Sequence, residues 1–323
     1  MSARLLLQLL LMVQAAAAGA IAFALVRYAG FGMAAALVLG LLAVLLVRAA
    51  ISANNFLMSS RAASPTPDEF RLGTAARLRL FGEEFRASML QSSWFMPRAR
   101  PSQRIFPGSP VPPVLLLHGY GCNSGYWIHL LPMLDKAHVS HACPDLEPLG
   151  GDIDGYVPAL ARAIDTLCEA SGAPRVTILA HSMGGLAARA YLRQHGAGRV
   201  ARIITLGTPH HGTSLASLGP GINARQMRRA RSGDAPESDW LRDLAAGEGA
   251  DARALVTSIY SHHDNIVAPQ TSSCLSGARN IAFGGVGHVA LGSNRHILSC
   301  ILHELAREAT AADGGQKDRV LHS

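Results

Sequence analysis

From Val114 onward, short and almost wholly apolar runs alternate with stretches of helical spacing, and this alternation restricts the fold most. Val114-Leu-Leu-Leu117 and Val176-Thr-Ile-Leu179 lack the period-two pattern of a strand with one wet face, so a strand built from either must be covered on both sides. Such strands, separated by helices, make a parallel sheet with crossover helices. The pattern predicts strands at Val114–Leu117, Ser140–Ala142, Val176–Leu179, Ile203–Leu206, Ala254–Tyr260 and Asn280–Phe283. It predicts helices at Gly125–Lys136, Gly155–Ala170, Met183–His195, Ser238–Ala245 and Arg295–Thr310. An open sheet of this class carries its site beyond the carboxyl ends of its strands. Residues that do chemistry are therefore expected just after strands.

The strongest local signal is Ala180-His181-Ser182-Met183-Gly184-Gly185, which comes after the strand 176–179 and opens a helix. A serine on a tight strand-to-helix turn, flanked by small residues so that the turn can close, is a nucleophile elbow. The competing reading is an ordinary turn with a helix-capping serine. His118-Gly119-Tyr120-Gly121 comes after the strand 114–117. Gly119 lets the chain turn sharply, and the amides of Tyr120 and Met183 are placed to hold a developing oxyanion. A dinucleotide-binding turn competes here, with Asp145 in the place of a ribose-binding acid. However, Ser124 stands where the third glycine of G-x-G-x-x-G belongs.

A serine nucleophile needs a base and an acid that orients it, in the chain order Ser, Asp, His on this kind of sheet. Asp264 lies in Ser261-His262-His263-Asp264-Asn265, after a predicted strand, and is the acid candidate. His288 lies in Gly284-Gly285-Val286-Gly287-His288, after the last strand, and is the base candidate. Asp145 and Asp154 are alternative acids, but both precede the nucleophile. His262 and His263 sit too close to Asp264 in sequence to be oriented by it, and read as loop or pocket residues. Gly207-Thr208-Pro209-His210-His211-Gly212-Thr213 places two imidazoles near the mouth of the site, as pocket wall rather than as metal ligands. His118 and His181 are further pocket candidates, and no metal site is expected.

The first fifty residues are of a different kind. Leu5 to Val26 is nearly all apolar, and after Arg27-Tyr-Ala-Gly-Phe-Gly32 a second apolar run goes from Met33 to Val47 and on to Ile51. Each approaches the roughly 20 residues that cross a hydrocarbon core as a helix. Residues 1–51 are therefore expected to form a transmembrane hairpin. A cleaved signal peptide competes, with a cleavage site in Ala15–Ala20, but its apolar core would be only about 7–15 residues and the second run would remain. Arginines 48, 61, 71, 77, 79 and 86 lie after the hairpin. They place the next domain on the cytoplasmic side of a bacterial inner membrane, by the positive-inside tendency. Arg27 at the tip pulls the other way, and a single span would reverse the side.

Residues 52–110 read as a connector. Ser-Pro-Thr-Pro at 64–67 is a linker signal, and Ala75–Leu90 has an amphipathic helical pattern that suits packing on the next domain or lying on a membrane surface. Residues 111–310 form the catalytic domain, 214–249 an insert, and 311–323 a flexible tail. The insert carries Arg225, Arg228, Arg229 and Arg231, which suit an anionic amphiphile if it acts as a lid.

Lys and Arg outnumber Asp and Glu by 29 to 22, giving +7. No basic run is interleaved with aromatics for stacking, so nucleic acid is not an expected partner; the excess reads first as an arginine-rich surface with no specific partner, and the functional alternative is attraction to anionic lipid headgroups. The five cysteines contain no C-x-x-C pair, which argues against zinc and dithiol chemistry. They read as free thiols, with Cys274–Cys300 the one pairing considered.

Taken together, His118-Gly119, Ala180-His181-Ser182-Met183-Gly184-Gly185, Gly207-Thr208-Pro209-His210-His211-Gly212-Thr213, Asp264 and Gly287-His288 resemble bacterial lipases and esterases of the α/β-hydrolase superfamily. The elbow looks like that of small bacillus-type lipases, and the Arg225-Gln-Met to Ser238-Asp-Trp-Leu stretch is similar to such lipases too. The resemblance covers about Val111 to Ala306. It implies an α/β-hydrolase fold with a mostly parallel, doubly wound sheet and Ser182, Asp264 and His288 as a catalytic triad. It also implies an ester or lipid substrate and no cofactor. Ala180 in place of glycine and the N-terminal hairpin depart from the secreted members, and the hairpin favours a cellular ester over extracellular fat. Transfer of the acyl group to an acceptor other than water would use the same residues. A non-enzymatic scaffold is disfavoured because all three triad members are present. Oligomeric state is left open.

Overall fold

The structure is a computed structural model that describes residues 1–230 and 237–320, with side chains in the last helix as far as Arg307. Arg231 of the insert and residues 321–323 of the expected tail lie outside the described residues.

Two long helices open the chain, α1 (Ala3–Ala29) and α2 (Met33–Ser60). Ser2 caps α1, its Oγ accepting the Leu5 amide at 3.2 Å, and Gly30 ends it in the left-handed region at φ 70°. At 1.5 Å per residue each helix is about 40 Å long. Both are long and apolar enough to cross a membrane. They pack on each other through small residues: Ala22 and Ala36 are buried, and Gly40 lies against Ala18. The large apolar side chains point outward, with Phe23 66% and Leu46 69% exposed, so no protein covers them. Helix α2 continues nine residues past Ile51, where the apolar run stops, because hydropathy marks where an apolar surround would end and not where helical bonding ends.

The base of the hairpin is bonded to the connector. Arg48 donates to Gln14 Oε1 at 3.1 Å, to Ser93 Oγ at 2.8 Å and to Ser92 Oγ. Gln8 Nε2 donates to the Pro97 carbonyl at 2.9 Å. Phe56 meets Phe81 of α3 (Thr74–Leu90), ring centroids 6.0 Å apart. The connector helix expected at 75–90 is thus present, and it buries Leu80, Glu84 and Ala87, a single face at helical spacing. A three-residue strand, β1 (Ser102–Arg104), precedes the buried strands of the sheet. All three of its residues are exposed, so it has no apolar pattern to read.

The remaining elements are β2 (Val114–Leu117), α4 (Leu131–Lys136), β3 (His141–Cys143), α5 (Val157–Ser171), β4 (Val176–His181), α6 (Met183–His195), β5 (Val200–Leu206), α7 (Ile222–Gln226), α8 (Asp239–Ala246), α9 (Ala250–Ala254), β6 (Val256–Ser261), β7 (Arg279–Phe283) and α10 (Arg295–Val320). The helix expected over 125–136 is instead a 3-10 stretch, Ser124–His129, and then α4, which has Pro132 in its first turn. The sheet order is β1-β3-β2-β4-β5-β6-β7, with every pairing parallel except β1 with β3.

The unbroken apolar runs divide between two layers. Leu115 and Leu117 of β2, Ile178 of β4 and Ile203 of β5 face α5 and α6, where Leu160, Ile164 and Leu186 meet them. Val114 and Leu116, Leu179, Ile204 and Ile259 face the other way, toward Trp127, Leu134, Ile297 and Ile301. Each fully buried leucine or isoleucine contributes roughly 1.5–3 kcal/mol over leaving it in water. Strands covered on both faces are held in register by that burial, which fixes where their carboxyl ends lie.

Candidate active site

The turn after β4 holds Ser182 at φ 54°, ψ −124°, a conformation that costs a non-glycine residue roughly 1–3 kcal/mol. Three bonds keep it there. The Ser182 amide donates to the Leu206 carbonyl at 2.8 Å, while Thr208 Oγ1 and the Gly185 amide donate to the Ser182 carbonyl at 2.9 and 3.0 Å. The small residues of the motif are explained by close approach. A Cβ at Gly184 would lie 2.7 Å from the His118 carbonyl, and one at Gly119 would lie 2.9 Å from Ser182 Cβ. The loop after β2 and the elbow are therefore in contact.

Helix α6 starts at Met183, and its first amides have no partner inside the helix and carry the positive end of its dipole. The Tyr120 amide has no protein acceptor among the described residues. The Tyr120 hydroxyl donates to the Pro220 carbonyl of the insert at 2.7 Å, joining the loop to the insert.

Asp264, after β6, is buried and divides its oxygens. Oδ1 accepts the Ile266 and Val267 amides, both at 2.8 Å, and Oδ2 accepts from His288 Nδ1 at 2.7 Å. The His288 amide donates to Asn265 Oδ1 at 3.0 Å. These contacts assign the proton to Nδ1 and leave Nε2 as the basic nitrogen. The His288 ring lies 4.6 Å from that of His181, the residue before the elbow serine. Burial opposes charge on the His288 ring, yet Asp264 beside it and Glu84 behind it hold its pKa above the ordinary imidazole value.

The pocket candidates separate. His118 is buried, its Nδ1 3.0 Å from the Gly119 carbonyl and its Nε2 accepting the Leu146 amide at 2.8 Å, so it shapes the β2 loop as a neutral ring. His181 is buried and stacks on Tyr126, centroids 3.9 Å apart; burial, then the neighbouring His288, keeps its pKa well down. His210 is buried between Thr205 Oγ1 at 3.2 Å and Arg189 at 3.4 Å. His211 is half-buried and its Nδ1 lies 2.8 Å from Glu237 Oε1. The Arg189 that meets His210 makes a buried two-armed pair with Glu248, both contacts 2.6 Å. His262 packs on Phe70, and His263 Nδ1 accepts the Gly285 amide at 3.0 Å. Asp145 accepts the Ser124 amide at 2.7 Å, and Asp154 binds Arg193 and Trp240. Cys274 and Cys300 are unpaired thiols.

Sequence patterns alone miss three residues of the site. Thr208 and Asn265 each sit inside or beside a motif, but their roles depend on where a backbone group arrives. Glu84 comes from α3, about two hundred residues before the loop it touches. Its Oε1 accepts the Val289 amide at 3.0 Å and its Oε2 the Ala290 amide at 2.9 Å. The one available signal is a carboxylate on the apolar stripe of the connector helix, between Leu80 and Ala87.

Residues 112–239 match the family model of the alpha/beta hydrolase fold, a span that holds Tyr120 and Ser182 and ends before Asp264 and His288. Among solved structures, a Bacillus licheniformis lipase in its mature form superposes with a TM-score of 0.53 at 19% identity, over 64% of this chain and 97% of that one. Aspergillus fumigatus lipase B gives a TM-score of 0.49 at 22% identity, over 57% and 50%. At such identities the likeness is one of fold.

Proposed function

We propose that this chain, whose fold is that of the α/β hydrolases, is a membrane-anchored serine ester hydrolase acting on a lipid-like or acyl ester through an acyl-enzyme on Ser182. The observation that carries the reading is the hydrogen bond from His288 Nδ1 to a carboxylate already fixed by two amides, with the His288 ring 4.6 Å from that of His181, the residue before a serine held in a strained turn. In this mechanism His288 Nε2 takes the Ser182 proton as Oγ attacks the ester carbonyl carbon. The carbonyl oxygen becomes an oxyanion held by the Met183 and Tyr120 amides. Its collapse expels the alcohol, which receives the proton from His288. Water then enters, gives a proton to His288 and attacks the acyl carbon; the second oxyanion collapses, the acyl–Oγ bond breaks, and His288 returns the proton to Ser182 as the acid leaves. Asp264 keeps Nδ1 protonated throughout and stabilises the imidazolium.

Two observations support the anchor: the helices' length, and the exposed apolar side chains over their outer surface. The arginines after the hairpin favour the cytoplasmic face of a bacterial inner membrane. An unbroken α1 across Ala15–Ala20, bonded to the connector through Gln8, suits a span better than a cleaved leader.

The test is hydrolysis of p-nitrophenyl esters of increasing acyl length by detergent-solubilised protein, beside the Ser182→Ala variant. Activity that vanishes in the variant is expected, with a chain-length optimum that separates esterase from lipase. Absence of both turnover and fluorophosphonate labelling of Ser182 would overturn the reading. Labelling without hydrolysis, together with ester formation when an alcohol is added, would move the reaction to acyl transfer.

A further inference from the structure

Residues 64–90 lie outside the stretch that matches the hydrolase family model, yet they touch both loops that carry the acid and the base. The Ser64 amide donates to Gln270 Oε1 at 3.1 Å, and Gln270 Nε2 donates to the Asp264 carbonyl at 2.9 Å. Phe70 packs on His262, centroids 4.8 Å apart, and fills the space over Gly284. Glu84 closes on the amides of Val289 and Ala290, the two residues after His288. A Cβ at Gly287 would lie 2.7 Å from the Glu84 carboxyl carbon, so the residue before His288 must be glycine while Glu84 occupies this place. Glu84 thus bonds the backbone just after His288 and lies close against Gly287 just before it.

We propose that the connector helix is part of the active site and that Glu84 is the positioning residue for His288. It sets the base's ring through the backbone on either side, and its negative charge stabilises the imidazolium. Burial pushes the Glu84 pKa up, and the two amides that its carboxylate accepts oppose that rise by favouring the charged form. The groups facing His288 are Asp264 from the loop after β6, Glu84 from α3 and His181 from the end of β4, with the Tyr126 ring stacked on His181. Of these, Asp264 and Glu84 raise its proton affinity. Helix α3 is also met by Phe56 of the hairpin through Phe81, so the same element joins the hairpin to the base.

This inference rests on His288 being the general base. The experiment uses the full detergent-solubilised chain and the pH profile of kcat/KM. His288→Ala is run alongside: full activity in it would overturn the proposed function itself. In Glu84→Gln the acid limb, which reports protonation of His288, is expected to move to lower pH, because a negative charge beside the imidazolium is gone. kcat is expected to fall by roughly 10- to 100-fold with KM little changed, as for a misplaced catalytic group. A wild-type acid limb with wild-type kcat, in a background where His288→Ala is inactive, would overturn the positioning role and leave the proposed function standing. A rate loss with the limb unmoved would reduce Glu84 to a structural part and overturn it equally. If Glu84→Gln does not fold, Gly287→Ala carries the test. It should push the Glu84 carboxylate off the loop, lowering kcat with KM little changed and moving the acid limb to lower pH, and a folded variant with wild-type kcat and limb would sink the idea.

Discussion

At the scale of single residues the site is a set of assigned hydrogen bonds. Asp264 gives one oxygen to two amides and the other to His288, so nothing is left over to rotate the carboxylate. Asp264→Asn keeps the shape but offers an NH₂ where the imidazole needs an acceptor, which turns the ring to the wrong tautomer. kcat is expected to fall roughly 10⁴-fold with fluorophosphonate labelling of Ser182 slowed in step. Retained activity would move the acid role elsewhere. The places of Ser182, Asp264 and His288 after strand ends are legible in sequence, because the strands announce themselves by apolar runs. Histidines 210 and 211 cannot be told apart in that way. Which of the two is buried depends on Arg189 and Glu237 arriving from other elements.

Among elements, the same division recurs. The central strands and α6 stand where the apolar pattern places them, because burial on both faces leaves a strand little choice. The elements that escape the pattern are short or exposed: β1 has three exposed residues, and the stretch after Asn123 winds as a 3-10 turn before α4 begins. Helix α3 is visible as a helix, but its contact with the histidine loop is not, since one glutamate in an amphipathic pattern looks like any other. Helix α6 carries a second buried charge, Arg189, whose guanidinium joins Glu248 and the His210 carbonyl at 3.1 Å. Arg189→Ala leaves the buried Glu248 carboxylate with only the Arg253 guanidinium, 3.5 Å away, and should cost up to about 3–5 kcal/mol. A urea midpoint unchanged from the native protein would show that the pair does not hold α6 in place.

For the molecule as a whole, acid should be the weak direction. His118, His181 and His210 are buried, and burial is the leading reason each is held below the ordinary imidazole pKa. Unfolding lets them protonate near their free value of about 6.5. The unfolded chain then binds protons that the folded one refuses, so the stability they confer is full above that pH and is lost as pH falls below it. Each adds a slope of up to about 1.4 kcal/mol per pH unit. His288 has the opposite sign, since its folded pKa is raised; its contribution is present below its free value and lost as pH rises through the folded one. Three groups outweigh one, so denaturant midpoints should drop between pH 7.5 and 5.5. Equal midpoints would show that these rings protonate in place.

The bonded base of the hairpin, Arg48 to Ser93 and Gln8 to the Pro97 carbonyl, ties the two apolar helices to the connector, and Ser64 and Glu84 tie the connector to the loops of Gln270 and His288. In a bilayer such a domain is mounted, not leashed. It would turn only as the hairpin turns and keep one height above the lipid, so its encounters with substrate would be those of a traveller in a plane. Catalytic rate would then depend on how many target molecules share each unit of membrane area, and dilution of the surrounding water would leave it unchanged.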